Sequence, residues 1–354
     1  MPFVPNFIER LLLLSLNKAP GPLLDIASGV AFRSLGLALR LDVFEKLENE
    51  PLTTIELASQ VNASEHGIRA IVGVLESFGY VKVRSDGKIS NTKMTSKWLI
   101  QSSPVSFRNY VLMWNDIAFP FWDKQFEKSI VDGKSDPSLY QWLNDQKPGS
   151  SRLFQEAMME TSRLFADDVI NKISIPSGSR KLLDVGGGHG LYSVKFCRKY
   201  PELSATIIDA PAALEIAREN IAKVRMGSRI TVQPGNYLTD SFGDGPYDIA
   251  LLFNVIHAHT PEENIGLLRK VAQVLGSDGL VAILSLVSDK SGRPTADSLQ
   301  KSSALTFFVN FGGNIYRSEE VQSWFRQAGF VSTKIIGLRN APAIKLLIGK
   351  KKKN

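Results

Sequence analysis

The 354-residue chain has one cysteine, Cys197, and four histidines. A lone cysteine excludes an intrachain disulfide, and its place in a helix-patterned stretch suits a buried spectator. Long apolar runs are lacking near the start: Leu11 to Leu14 is bracketed by Glu9-Arg10 and Asn17-Lys18, too short for a signal-peptide core or a membrane span. An excess of one charge is lacking too. The formal net charge is +7, and Lys350 to Lys353 supply four of those positives on what reads as a frayed, solvated end. The rest is close to balance, so no nucleic-acid footprint follows from charge. Potential metal ligands are sparse, since His257 and His259 have no other ligand types beside them, and no metal is expected. What remains is the composition of an ordinary globular protein, 44% hydrophobic and 22% charged, long enough for two domains and cytoplasmic by default.

The first hundred residues read as helices followed by a hairpin. Leu37 to Leu47 carries apolar residues at helical spacing. Thr53-Thr54-Ile55-Glu56 matches a capping box. Ser64 suits the N-cap of a helix carrying Ile68, Ile71, Val72, Leu75 and Phe78, and Gly79 ends it. Two short strands, Tyr80 to Arg84 and Lys88 to Asn91, flank Ser85-Asp86-Gly87, a hairpin signal. Helix, helix, wing is a winged-helix order. A DNA-reading helix needs basic and amide side chains on its outer face. Here Arg69 and His66 face Glu65 and Glu76, so packing or dimerisation is the better role for residues 1–100.

Residues 101–175 read as a helical connector. Ser106 to Ile130 is dense in aromatics, Trp114 among them, and such helices wall apolar pockets as well as fill cores. After a polar patch, Asn144 to Ser151, an amphipathic helix is expected over Leu153 to Ile170, carrying Phe154 and Met158; Ile175-Pro176-Ser177-Gly178 punctuates its end.

From residue 176 to 350 strands and helices alternate, with seven strand candidates: 181–185, 205–209, 230–233, 249–253, 280–286, 331–336 and 344–348. The pattern implies an α/β fold with a doubly wound sheet, ligands lying at the carboxyl ends of its strands. Three features fall there. Asp184-Val185-Gly186-Gly187-Gly188-His189-Gly190 is a strand end running into a glycine turn that lets a ligand touch backbone. Asp209 ends the next strand, about twenty residues on, where a carboxylate meets ribose hydroxyls. Asn236 and Tyr237 follow the third strand and flank a base. The fourth strand ends at Phe253 and Asn254, and His257 and His259 lie in the loop before a helix capped by Thr260-Pro261-Glu262-Glu263. One of the pair points into the crevice, where imidazole accepts a proton near neutrality. His189 and His66 read as ordinary turn and helix residues.

These residues resemble the S-adenosylmethionine-dependent O-methyltransferases of the plant caffeate/acetylserotonin type and their bacterial small-molecule relatives, over nearly the whole length. Asp184 to Gly190 resembles that family's D-V-G-G-G-x-G cofactor loop, and Ile208-Asp209-Ala210-Pro211 its [FL]-D-L-P at the ribose. Gly235-Asn236-Tyr237 resembles the G-D-[MF] at the adenine, and Val255-Ile256-His257 the V-L-H that carries the base. Asn310-Phe311-Gly312-Gly313 resembles N-P-G-G, whose asparagine faces the acceptor. Phe154, Met158 and Ser162 match F-x-x-x-M-x-x-x-S, where methionine packs on substrate and serine approaches the cofactor carboxylate. The resemblance implies a class I methyltransferase fold behind a winged-helix dimerisation domain, S-adenosylmethionine as cofactor with S-adenosylhomocysteine as product, and a homodimer. It implies a cofactor set of Ser162, Asp184, Gly186, Gly187, Gly188, Asp209, Ala210, Asn236, Tyr237, Phe253 and Asn254. The acceptor set is Phe154, Met158, Trp114 and Asn310, with His257 as the base. The departures concern the base. The family's H-D-W is His257-Ala258-His259, and its two orienting glutamates fall at Ser285 and near Ile315-Tyr316. Methyl transfer to a hydroxyl of a small aromatic acceptor is implied, with carbon or nitrogen transfer, or a non-methylating reaction, as alternatives.

Overall fold

The computed structural model describes Glu9, Leu16 and residues 21–144, 149–243, 245–289, 294–339, 341 and 343–351. The Leu11–Leu14 run and Lys352–Lys353 lie outside those residues. Contacts cluster into two compact units, one through Asp116 and one from Ile117.

In the first unit a helix spans Pro22–Arg40 and another Val43–Asn49. The single helix expected across Leu37–Leu47 is therefore two. Asp42 between them adopts φ 53°, and the Arg108 guanidinium donates to Leu39 O at 2.9 Å and Asp42 Oδ1 at 2.8 Å, holding the break. The capping box at Thr53/Glu56 opens Thr54–Gln60, and Ser64 Oγ accepts from Gly67 N at 3.1 Å to open Glu65–Ser77. Strands β1 (Val81–Val83) and β2 (Ile89–Asn91) pair antiparallel. Pro22–Arg40 is the one helix among the described residues long and apolar enough to cross a membrane; Ala31, Leu35, Ala38 and Leu39 along it are buried within the protein.

The second unit is built on seven strands: β3 (Lys181–Val185), β4 (Ser204–Asp209), β5 (Ile230–Pro234), β6 (Tyr247–Phe253), β7 (Leu275–Leu286), β8 (Phe330–Gly337) and β9 (Ile344–Lys351). Their order is β5-β4-β3-β6-β7-β9-β8. β9 runs opposite to the other six, pairing antiparallel with both β7 and β8. Alternate residues feed two cores, as strands covered on both faces require. Leu182, Ile249, Leu251, Leu280 and Ala282 meet Val169, Phe196 and Ala217 on one face. Leu183, Val185, Ala250, Leu252 and Ile283 meet Leu268, Val271, Val321 and Phe325 on the other. The chain runs outward from β3 to β5 and returns beside β3 as β6, so the switch point lies between β3 and β6, where such sheets bind ligands.

Three expectations change here. β7 starts at Leu275, not Leu280, because Tyr247 pairs with Leu275 ahead of a register shift. Lys350 and Lys351 are not frayed. They lie in β9 opposite Leu280 and Phe330, and Lys351 Nζ donates to Leu275 O at 2.6 Å. The helix expected over Leu153–Ile170 is two, Ser150–Arg163 and Ala166–Lys172. Helix Leu139–Asn144 precedes them.

Candidate active site

At the end of β3 the backbone turns sharply. Gly186, Gly188 and Gly190 have φ of 67°, 44° and 72°, a region strongly disfavoured for bulky side chains. Gly186 N–H donates to Ile208 O at 2.8 Å, and Gly190 N–H to Gly187 O at 2.9 Å, closing the turn as helix Leu191–Lys199 begins. Asp184 is buried beneath it and accepts from Ser193 Oγ at 2.7 Å. Burial pushes its carboxyl up to about 7, against that hydrogen bond. A Cβ on Gly187 would stand 2.6 Å from the Asp184 carboxyl carbon. Asp184 thus props the turn.

Asp209, at the end of β4, accepts from Gly188 N at 2.8 Å and from Ala210 N at 2.7 Å. Burial pushes its carboxyl up to about 6, and those two bonds oppose the shift. A Cβ on Gly188 would meet Gln155 Oε1 at 2.6 Å and the Asp209 carboxylate at 3.7 Å; one on Gly186 would meet Val255 at 2.7 Å and the Tyr237 ring at 3.5 Å. Glycine backbone without side chains, a carboxylate with spare lone pairs and an aromatic ring converge there. That donor set fits an adenosyl group: the carboxylate for ribose hydroxyls, the ring for a base.

His189 is more than a turn residue, which corrects the expectation from sequence. It is buried, its Nδ1 accepts from Leu191 N at 3.2 Å and its Nε2 lies 3.2 Å from Ser162 Oγ. With Nδ1 accepting, Nε2 carries the proton and donates to Ser162. Burial, then the Arg163 charge, pushes the imidazole down to about 4, so it is neutral. The helix bearing Ser162 is thereby fastened to the glycine turn.

Beyond β5, Gly235 N–H donates to Asp209 O at 3.0 Å. The Asn236 carboxamide accepts from Leu238 N at 2.9 Å, so this side chain shapes its own turn. The Tyr237 hydroxyl lies 2.9 Å from His259 Nε2. Phe253 is buried edge-on against Tyr192, centroids 4.7 Å apart. Asn254 takes a left-handed φ of 57° that starts the loop, and its N–H donates to Leu284 O at 2.8 Å.

His257 sits in the short 3₁₀ turn Ile256–Ala258. Its ring stacks on Phe307 at 3.9 Å and 9°, with Phe311 6.2 Å away. Gly313 passes so close that a Cβ on it would stand 1.8 Å from His257 O. Burial, then the His259 charge, pushes the imidazole down to about 3. His257 Nδ1 is buried without a hydrogen-bond partner among the described residues. At the two positions where the resemblance expects glutamates, Ser285 Oγ donates to Leu286 O at 3.2 Å and the Tyr316 hydroxyl to His259 O at 2.5 Å.

An aromatic wall runs from His257. Tyr140 stacks on Phe311 at 4.7 Å and meets Phe154 edge-on at 5.7 Å. Tyr140 keeps 44% of its surface accessible, while desolvation and the Asp209 charge raise its phenol. Met158 is half-buried one turn beyond Phe154, and Asn310 Oδ1 accepts from Trp122 Nε1 at 2.8 Å. Trp114 belongs to the first unit, in the π turn Trp114–Ala118 at its end. Sequence reasoning missed Tyr140, Gln155, Phe307 and, as an aromatic, Phe311. Helical spacing from Phe154 flags none of them.

Sheet order, switch point and this edge define a class of protein: a methyltransferase of the Rossmann-like class I fold that uses S-adenosylmethionine. A family model described as an O-methyltransferase domain matches residues 122–331, and the chain belongs to that family. It is 27% identical to a 3-hydroxy-5-methyl-1-naphthoate 3-O-methyltransferase of Streptomyces sahachiroi, over 88% of this chain and 89% of that one. It is 28% identical to an L-tyrosine C(3)-methyltransferase of Streptomyces lavendulae, over 85% and 83%. Human N-acetylserotonin methyltransferase, solved in complex with SAM, shares the fold with a TM-score of 0.82 at 19% identity, each chain covered completely.

Proposed function

We propose that the protein methylates a hydroxyl of a small, flat aromatic acceptor, with His257 as the base. The observation that carries this reading is the run of rings that starts at the buried His257 imidazole, with Phe307 and Phe311 beside it, and continues from Phe311 to Tyr140 and Phe154, off the same sheet edge as the glycine turn. The cofactor residues are Gly186, Gly187, Gly188, Asp209, Ala210 and Tyr237, with Ser162 held by His189, and Asp184, Asn236, Phe253 and Asn254 shaping the turns around them. Met158 and Asn310 complete the acceptor side; Trp114 is assigned to it by resemblance alone. When bound, the sulfonium supplies an electrophilic methyl group. The chain then has to orient the acceptor, exclude water and take up one proton. Orientation is worth up to about 7–11 kcal/mol in the best intramolecular models, and a general base about 10²–10⁴-fold. An imidazole pushed down to about 3 is neutral at pH 7 and able to accept, though weakly, so alignment carries most of the rate.

Residues 1–100 are a winged-helix dimerisation domain, 101–175 a connector that lends aromatics to the acceptor side, and 176–350 the methyltransferase domain. The helix–helix–hairpin order supports the first assignment. Leu23, Ile26 and Val30, spaced along one face of Pro22–Arg40 and each more than half exposed, support a homodimer through this region. A cytoplasmic, small-molecule enzyme without nucleic-acid, membrane or metal partners fits this reading.

Incubation with methyl-labelled S-adenosylmethionine and a panel of phenols tests it. Label on phenolic oxygen is expected. Label on ring carbon would favour C-methylation, a reading kept alive by the tyrosine C-methyltransferase relative. Tight cofactor binding with no transfer to any acceptor would sink both.

A further inference from the structure

We infer that His259 is a positioning residue for the cofactor, holding the Tyr237 ring over the glycine turn through the tyrosine hydroxyl; this rests on the reading that Gly186 to Gly188 take S-adenosylmethionine. The Tyr237 hydroxyl and His259 Nε2 are 2.9 Å apart, and the two rings meet edge to face at 5.6 Å. The other end of Tyr237 is fixed as well, its carbonyl accepting from Lys270 Nζ at 2.9 Å. Its ring lies 3.5 Å from where a Cβ on Gly186 would be, so the ring faces the turn across a gap of one contact distance.

His259 is itself immobilised. Its carbonyl accepts from the Tyr316 hydroxyl at 2.5 Å and from Asn264 Nδ2 at 3.3 Å. Its Nδ1 lies 3.9 Å from Glu263 Oε2, too far for a hydrogen bond. The tyrosine hydroxyl is therefore the partner that gives the imidazole a purpose. Two histidines two residues apart divide the crevice: His257 serves the acceptor side, stacked on Phe307, and His259 serves the cofactor side through Tyr237. A ring tethered through its hydroxyl on a backbone that is itself held presents its face without losing torsional freedom on binding, which favours affinity.

Affinity for S-adenosylmethionine, measured by calorimetry on the full chain, tests this with a double-mutant cycle. His259→Phe keeps a ring but removes the nitrogen; Tyr237→Phe removes only the hydroxyl. Each is expected to weaken binding about three- to tenfold, the range of one neutral hydrogen bond. The double variant is expected to be no weaker than either single one. KM for S-adenosylmethionine should rise more than turnover at saturation falls, and His259→Gln, whose amide reaches for the same hydroxyl, should restore most of the loss. Unchanged affinity in His259→Phe, losses that multiply in the double variant, or a His259→Gln variant no better than His259→Phe would each overturn the proposal. Gly188→Val separates the two levels. Full affinity in that variant would refute the site, whereas lost affinity there with an unaffected His259→Phe would refute only the positioning role.

Discussion

On the β3–β4 side of the crevice, most polar groups are answered by another. Asp209 takes two backbone N–H groups, Asp184 takes Ser193, and His189 is bonded at both nitrogens. On the β6 side the walls are mostly rings, and His257 Nδ1 is buried with no hydrogen-bond partner among the described residues. A site that binds a fixed, polar cofactor gains from pre-paired dipoles, which cost no reorganisation. A site that takes an apolar acceptor gains from bare aromatic surface. In the proposed reading, that unsatisfied nitrogen is what the acceptor side leaves for chemistry.

The widest separation of the two sides comes from Gly188→Val. At φ 44° a β-branched residue is strained, and its side chain would be driven against Gln155 and Asp209. S-adenosylmethionine affinity should fall by about two orders of magnitude or more while the far strands stay folded, as calorimetry and thermal unfolding would show. The milder Gly188→Ala guards against collapse of the turn and should still lose affinity.

His257→Ala should act on the other side alone. Turnover is expected to fall about 10- to 100-fold, the low end of general-base effects, because a neutral imidazole without a carboxylate partner is a weak base. Cofactor affinity should hold within about twofold by calorimetry. Turnover equal to the parent enzyme's would remove His257 from the proton's path.

The same contrast decides what was legible in the sequence. The cofactor side is made by backbone at strand ends, so glycines, a carboxylate and an apolar run lie contiguous in the chain and read directly. The proposed acceptor side is assembled from helix Leu139–Asn144, helix Ser150–Arg163 and helix Pro294–Phe311. No local pattern tells Tyr140 or Phe307 from a core aromatic; only their meeting in space does. His189 reads as an ordinary turn residue for a related reason. Its partner, Ser162, lies 27 residues upstream on another element. The Lys350–Lys353 run misled because composition marks a solvated tail, whereas pairing with β7 and β8 decides that Lys350 and Lys351 form a strand.

The smallest expected effect is one of pH, and it sharpens the comparison because it arises on the cofactor side only. The Asp209 carboxyl sits at about 6, raised by burial from the usual 3.8. The ionised form is the one that accepts from Gly188, Ala210 and a ligand's hydroxyls. S-adenosylmethionine affinity should therefore be level above pH 7 and fall as pH drops through about 6, by at most about tenfold per unit. Stability runs the other way. Because the folded pKa lies above the unfolded one, the folded chain binds the extra proton between about 4 and 6, and this group favours folding as pH falls through that window. His257 and His189, lowered to about 3 and about 4, work against it below about 6.5. Comparison of parent and Asp209→Asn isolates the carboxyl. The variant should bind more weakly at pH 7.5, show a flat affinity profile from pH 5 to 8, and lose only Asp209's share of the stability gained on acidification, since Asp184, raised by burial to about 7, keeps its own. A variant whose affinity still drops below pH 6 would assign that titration to a group other than Asp209.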